Sequence, residues 1–232
     1  MLDGVWTPLW LTLKVAGWAT ALNLVLGVGA GWALARLGPP RWRLARDLID
    51  ALLTLPMVLP PTVLGYYLLV LIGSQGPLGA WLLQTFGIRL IFTWQGAVIA
   101  ATIVAFPLVF KAARAAFEGV DAALEDAARS LGLSEWAVFF RVSLPLAWRG
   151  ILAGLLLAFA RALGEFGATL MVAGSIAGKT QTLSIAVYEA VQAGQDDAAL
   201  QLVWVISAVC ITVLLLAGRL SPWQGRAPES LR

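Results

Sequence analysis

The chain has no histidine, a single cysteine and few charges of either sign. Without histidine it lacks the commonest general base and the commonest transition-metal ligand, which weakens any enzymatic reading. Cys210 lies in an apolar run, and one thiol allows no disulfide within the chain; a buried, inert side chain is expected there. No Gly-x-x-x-x-Gly-Lys-Ser/Thr phosphate loop occurs, so nucleotide must be bound by another chain if it is used at all. The spans hold no clustered carboxylates, and no inverted internal repeat is detectable. No catalytic residue and no metal ligand are therefore expected.

What fills the chain instead is apolar. Hydrophobic residues make up 60% and charged residues 12%, with a mean hydropathy of +0.84, where soluble domains carry about 25% charge. An integral membrane protein of the all-α class follows, with residues 1–232 as one membrane domain. A bilayer core of roughly 30 Å takes about 20 helical residues. Five segments qualify, near Leu9–Leu37, Leu48–Ile72, Leu90–Phe110, Leu146–Val172 and Ala198–Gly218. The first is too long for a cleaved signal peptide and lacks a basic stretch before it.

Basic residues set the orientation. With the N-terminus outside, the inner side collects Arg36, Arg41, Arg43, Arg46, Lys111, Arg114, Arg129, Arg141, Arg149, Arg219, Arg226 and Arg232. Only Lys14, Arg89 and Lys179 remain outside. The same asymmetry accounts for the pI near 9.4, and no nucleic-acid partner is expected.

Two stretches depart from plain spanning helix. Pro56, Pro60 and Pro61 interrupt the second span, because each removes a backbone donor and clashes with the preceding turn. Such a break reads as a buried kink or as part of a permeation path, since freed backbone must be satisfied by protein or by a water-filled cavity. The piece around Leu183–Val191 is amphipathic and too short to span, and is expected at the outer surface. In the first span, Gly27 and Gly31 read as a helix-packing face.

Between the third and fourth spans lies a polar island, 111–146. Val120, Leu124, Ala127/Ala128 and Leu131 fall at helical spacing, while Asp121, Glu125, Asp126, Arg129 and Ser130 are read onto the other face. Gly132 is placed to end that helix in the left-handed conformation. Ser134 can cap a second helix that carries Trp136, Phe139, Phe140 and Val142 before Pro145 opens the next span. The reading is a helix–turn–helix on the cytoplasmic face, either a solvated surface element or a grip for a partner.

Glu125-Asp126-Ala127-Ala128-Arg129, then Gly132, then Leu144-Pro145, resembles the EAA loop of the membrane subunits of binding-protein-dependent ABC importers, with Asp126 standing where the motif has glutamate. The stretches 55–66, 92–98, Gly164-Glu165-Phe166-Gly167-Ala168-Thr169 and Gly178-Lys179-Thr180-Gln181-Thr182 resemble the molybdate permease subunit family, ModB, and the Gly-Glu-Phe-Gly stretch is shared with sulfate permeases. The resemblance implies a type I importer permease fold of five or six transmembrane helices. It implies a homodimer in the inner membrane, two cytoplasmic ATPase subunits that hold ATP and magnesium, and a periplasmic or extracellular molybdate-binding protein. No cofactor is expected on this chain. The residues 125–129, Gly132, Leu144 and Pro145 would then couple to the ATPase.

The expected action is ATP-driven alternating access for molybdate or tungstate. A sulfate or thiosulfate carrier is the near alternative, and a self-sufficient secondary anion transporter or channel the more distant one. For the translocation path or gate, the chain offers Pro60, Pro61, Arg161, Glu165, Phe166, Gly167 and Thr169. Arg161 and Glu165 lie four apart at membrane depth. Arg161 reads either as a charge on the anion path or as half of a structural pair.

Overall fold

Helices account for all regular structure in residues 3–36 and 43–220, the parts described by the computed structural model. Arg41, Arg226 and Arg232, the side chain of Arg219 and the expected end of the first span at Leu37 lie outside the described residues. In chain order the helices are α1 (Asp3–Arg36), α2 (Arg43–Val58), α3 (Pro61–Ile72), α4 (Pro77–Phe86), α5 (Trp94–Glu118) and α6 (Ala122–Ser130). Then follow α7 (Glu135–Val138), a π-helical turn (Phe139–Ser143), α8 (Leu144–Leu163), α9 (Gly167–Ala173), α10 (Leu183–Gln192) and α11 (Asp196–Leu220). Four helices are long and apolar enough to cross a membrane, and the bent pair α2–α3 brings the number to five.

The bundle is organised around α5. Two-thirds of its most apolar window is buried (67%), against 11% for α11. The difference follows from composition. Small residues at Ala97, Ala100, Ala101, Ala105 and Ala113 are almost fully buried, and small side chains let helix backbones approach without a hydrophobic driving force from lipid. α11 instead presents Ile211, Leu214, Leu215 and Leu216 outward, a surface that hydrocarbon solvates well.

The glycines of α1 act as expected. A methyl group at Gly27 would stand 2.9 Å from Cβ of Val109, and one at Gly31 would stand 2.8 Å from the backbone nitrogen of Arg114. Those separations lie well inside van der Waals contact, so α1 and α5 can touch only because these positions are bare. Asn23 adds a polar tie at the same seam, donating from Nδ2 to the carbonyl of Thr102 at 3.1 Å.

The second span is sharply broken at its prolines. α2 and α3 meet at 111° across Leu59 and Pro60, with Pro61 opening α3 where its missing N–H costs nothing. α3 packs on α9 and its Leu64, Leu68 and Ile72 join the core. α2 carries no buried residue, and its hold on the bundle is polar: Asp50 accepts from Lys111 and Arg114 of α5, each at 2.5 Å.

α4 is absent from the sequence-derived elements. Its ten residues start at a Gly76-Pro77 pair and stop at Gly87, in the left-handed region at φ 67°. They are too few to span. Cys210 is half-buried rather than buried, because α11 packs on the bundle by one face only. α10 forms over the amphipathic stretch, and its buried Leu183, Ala186 and Ala190 pack with Ala199 and Leu202 of α11.

Candidate functional site

The polar island folds as two helical arms joined by a tight turn. Asp121 caps α6, accepting from the amide of Ala123 at 2.9 Å. The helix ends in a Schellman arrangement: Gly132 takes φ 83°, its amide donates to Arg129, and the amide of Leu133 reaches back to Ala128 at 3.2 Å. Ser134 then caps α7 by accepting from Ala137. From Glu135 the chain runs without interruption to Leu163. The π-helical turn before Pro145 widens the helix where that proline cannot donate and its ring crowds the preceding turn. Leu144 is half-buried against the core that holds Val28 and Phe117, so it anchors the arm to the bundle.

Glu125 sits on the inner side of α6, not on an outward acidic face. It is 2% exposed. Its Oε1 accepts from Arg36 of α1 at 2.6 Å and from the hydroxyl of Ser143 at 2.6 Å, while Arg129 stands 3.7 Å from Oε2. The helix period places Glu125 and Ala128 on one side, and the bundle lies on that side. Burial pushes the Glu125 carboxyl up, but hydrogen bonds from Arg36 and Ser143, with the charges of Arg36 and Arg129, outweigh it and hold the group below the ordinary glutamate value. Neither Arg36 nor Ser143 stands out in the sequence as a site residue. Arg36 is visible there only as a topological charge, 89 positions away.

Arg129 braces the turn. Its guanidinium pairs with Glu135 at 2.8 Å and with Asp126 at 2.7 Å, contacts that raise its proton affinity above the usual arginine range. A third brace is aromatic, with the Trp136 ring stacked 6.5 Å from Trp32 of α1 and Phe139 edge-on to Trp32 at 5.0 Å.

The outward side of α6 carries an apolar row beside its charged residues. Leu124 is 50% exposed and Leu131 84%, with exposed Ala127 between them and Asp126 at the edge. The apolar stripe read from the sequence is therefore divided: Val120 and Ala128 are buried, while Leu124, Ala127 and Leu131 are exposed.

At the elbow between α2 and α3 lies a cavity of about 470 Å³ lined by Pro56, Pro60, Pro61, Val104, Leu108 and Arg161, among others. Of the expected path residues, Pro60, Pro61 and Arg161 line it together. Arg161 Nη1 is 2.8 Å from Oε2 of Glu165, whose side chain is 2% exposed. The other carboxylate oxygen of Glu165 accepts from the amide of Ala168 at 2.9 Å, so this residue bridges the break at 164–166 and ties α9 to α8. Gly167 packs on Pro61 and Thr62, the Phe166 ring lies 5.0 Å from Tyr188, and Thr169 is buried in the α9 core with no partner for its hydroxyl among the described residues. Those three sit behind the cavity, not around it.

Residues 25–226 match the family described as binding-protein-dependent transport system inner membrane component. The molybdenum transport system permease protein ModB of Escherichia coli (strain K12) is 42% identical over 224 residues, which cover 97% of this chain and 95% of that protein. The sulfate transport system permease protein CysW of Synechocystis is 38% identical over 210 residues, covering 90% of this chain and 74% of that one. In three dimensions the chain is similar to the solved inward-facing MetNI methionine ABC transporter, with a TM-score of 0.69 at 16% identity, covering 95% of this chain and 96% of that one.

Proposed function

The chain belongs to the family of binding-protein-dependent transport system inner membrane components, and on that premise we propose that it is the multi-pass membrane subunit of an ATP-driven importer for molybdate, with tungstate as the nearest analogue. Two copies would form the path. Two ATPase subunits, which hold the ATP and magnesium, would dock on the end that carries α6, and a binding protein would deliver the anion at the opposite end. The N-terminus then lies outside and the C-terminus in the cytoplasm, as the distribution of basic residues favours.

One observation carries this division of labour. α6 shows a row of exposed apolar residues, Leu124, Ala127 and Leu131, with Asp126 beside them. The same helix is locked from behind by Glu125 to Arg36 and Ser143. An element built to be solvated needs neither feature. A lever that must transmit a partner's motion needs both: a face to be gripped, and a stiff connection to the helices it moves. Beyond the Gly132 turn, the uninterrupted helix from Glu135 to Leu163 carries Arg161 to the cavity at the α2–α3 elbow, so displacement at α6 would reach the path across one turn and one continuous helix.

The test is uptake of labelled molybdate and sulfate into liposomes containing the purified permease with its ATPase and binding protein. ATP-dependent molybdate uptake that stops with an ATPase-dead partner supports the reading. Uptake of sulfate alone would keep the coupling and change the cargo, while uptake indifferent to the dead ATPase would overturn the assignment of α6.

A further inference from the structure

Two cavities meet at Lys14, at the end of the bundle opposite α6. Lys14 and Arg36 are both on α1, 22 residues and hence about 33 Å apart. The first cavity, about 500 Å³, is polar at its rim: Thr7, Thr93, Gln95 and the two cations Lys14 and Lys179 line it with Trp94. Among the described residues no carboxylate lines it and neither lysine has an ion pair. The Lys14 ammonium is held 3.6 Å over the Trp94 ring, which orients the charge without neutralising it. Trp94 and Gln95 open α5, so their amides have no acceptor within the helix.

The second cavity, about 480 Å³, shares Lys14 and Trp10 with the first and continues down α1 toward the middle of the bilayer along Leu13, Gly17, Trp18 and Ala21. It is apolar apart from Lys14. Trp10 and Trp18 are 69% and 54% exposed, and nothing stands within 4 Å of where a side chain at Gly17 would begin. A free oxyanion would occupy only part of the first cavity and leave the second bare. A polar, doubly cationic pocket continuous with an apolar groove along a membrane helix matches one chemistry, a phosphate head joined to an acyl chain.

We propose that Lys14 and Lys179 hold the phosphate of an anionic phospholipid whose acyl chain lies in the groove beside Gly17, between Trp10 and Trp18. The inference rests on the reading of the chain as a membrane-embedded permease with this end outward. The lysines supply attraction to the phosphodiester, Gln95 lines the same pocket, and the tryptophans flank the chain at the level where amphipathic rings are enriched.

The experiment reads lipid retention rather than transport, so its failure leaves the importer reading standing. The full permease, with its ATPase partner, is purified from membranes containing phosphatidylglycerol and phosphatidylcholine, and retained lipid is counted by native mass spectrometry. Selective retention of phosphatidylglycerol is expected, falling roughly fivefold for each of Lys14→Gln and Lys179→Gln. Gly17→Leu, which fills the groove and leaves both charges, should lose the lipid as well. Lys179 is exposed, so its variant keeps the test informative should a change at Lys14 disturb folding. Equal retention of the two lipids overturns the proposal. So does displacement by millimolar molybdate with Gly17→Leu unaffected, which would make this a soluble-oxyanion site. A shift from dimer to monomer in Gly17→Leu would likewise overturn it, by assigning the groove to a second copy of the chain.

Discussion

Nη2 of Arg36 lies 2.6 Å from Oε1 of Glu125, joining the inner end of α1 to the back of α6 across 89 residues of sequence. The carboxylate is 3% exposed at its side chain and the guanidinium 24%, so the pair is sheltered from water and from salt. Ser143, at the end of the π-helical turn, donates to the same oxygen at 2.6 Å. α1, α6 and the start of α8 thus converge on one atom.

This convergence separates two neighbouring acids that look alike in sequence. Glu125→Ala should destabilise the permease by about 3 kcal/mol, because it strands Arg36 and Ser143 beside a buried gap. Asp126 is exposed, and its contact to Arg129 is a surface pair, so Asp126→Asn should change stability by less than about 1 kcal/mol. Thermal unfolding of the two variants in detergent checks this directly. Equal melting points would show that Glu125 holds nothing.

Acid should act through the same group. The folded carboxyl titrates below its ordinary value, so the folded state binds its proton less readily than the unfolded chain does. The stability from this group is therefore complete above the unfolded pKa, near 4.5, and is lost as pH falls through the lower folded value. Melting curves of wild type and Glu125→Gln should lie apart at neutral pH and converge as the medium is taken below about pH 4. A gap that persists unchanged into acid would exclude the ionised form as its source.

Much of this region is legible in the sequence, and what is not has a physical cause. The turn at Gly132, the cap at Ser134, the break at Pro60-Pro61 and the packing of Gly27 and Gly31 all follow from backbone restrictions or residue size, which act locally. The inward side of α6 does not. A helical period shows that Leu124, Ala127 and Leu131 share a side, but not whether the bundle or a partner lies there. Glu125 falls on the bundle side because Arg36 waits there, and only the tertiary fold brings them together. Asp50 was hidden for the same reason, its partners Lys111 and Arg114 being 61 and 64 residues away. α4 escapes because ten residues between Gly76 and Gly87 are too short for any span criterion.

The outward row on α6 makes a separate prediction. Leu131 is 84% exposed and touches little of its own chain, so Leu131→Asp should leave the melting point nearly unchanged. If the row is gripped by an ATPase, the same change should weaken complex formation by about fivefold or more, as expected for an apolar anchor at a contact. Co-purification of the ATPase with tagged permease measures it. Undiminished recovery with full transport would remove Leu131 from the contact.

Gly132 controls how that row is aimed. At φ 83° a β-carbon costs about 1–2 kcal/mol, so Gly132→Ala should fold with a modest loss of stability. Gly132→Pro cannot adopt this angle and also removes the amide that donates to Arg129, which costs about 3 kcal/mol or more. The expected order of ATP-coupled uptake is wild type, then alanine, then proline with none, while all three insert in the membrane. Wild-type uptake by the proline variant would show that the turn does not transmit force.

Arg161 and Glu165 make a pair whose halves do different things. Glu165 is buried, reaches the amide of Ala168 and closes the break between α8 and α9; Arg161 is 35% exposed at its side chain and lines the cavity at Pro60 and Pro61. Glu165→Ala should therefore lower stability, since the amide and guanidinium both lose a partner. Arg161→Gln should cost less stability. If the cavity is on the anion path, it should reduce uptake at low molybdate by about tenfold, the loss of one charge-assisted contact. Saturating molybdate should restore most of the rate, because the arginine would act in capture and not in the ATP-driven step. A variant with an unchanged half-saturation point would confine Arg161 to pairing with Glu165, and the path would then have to run along another face of α8.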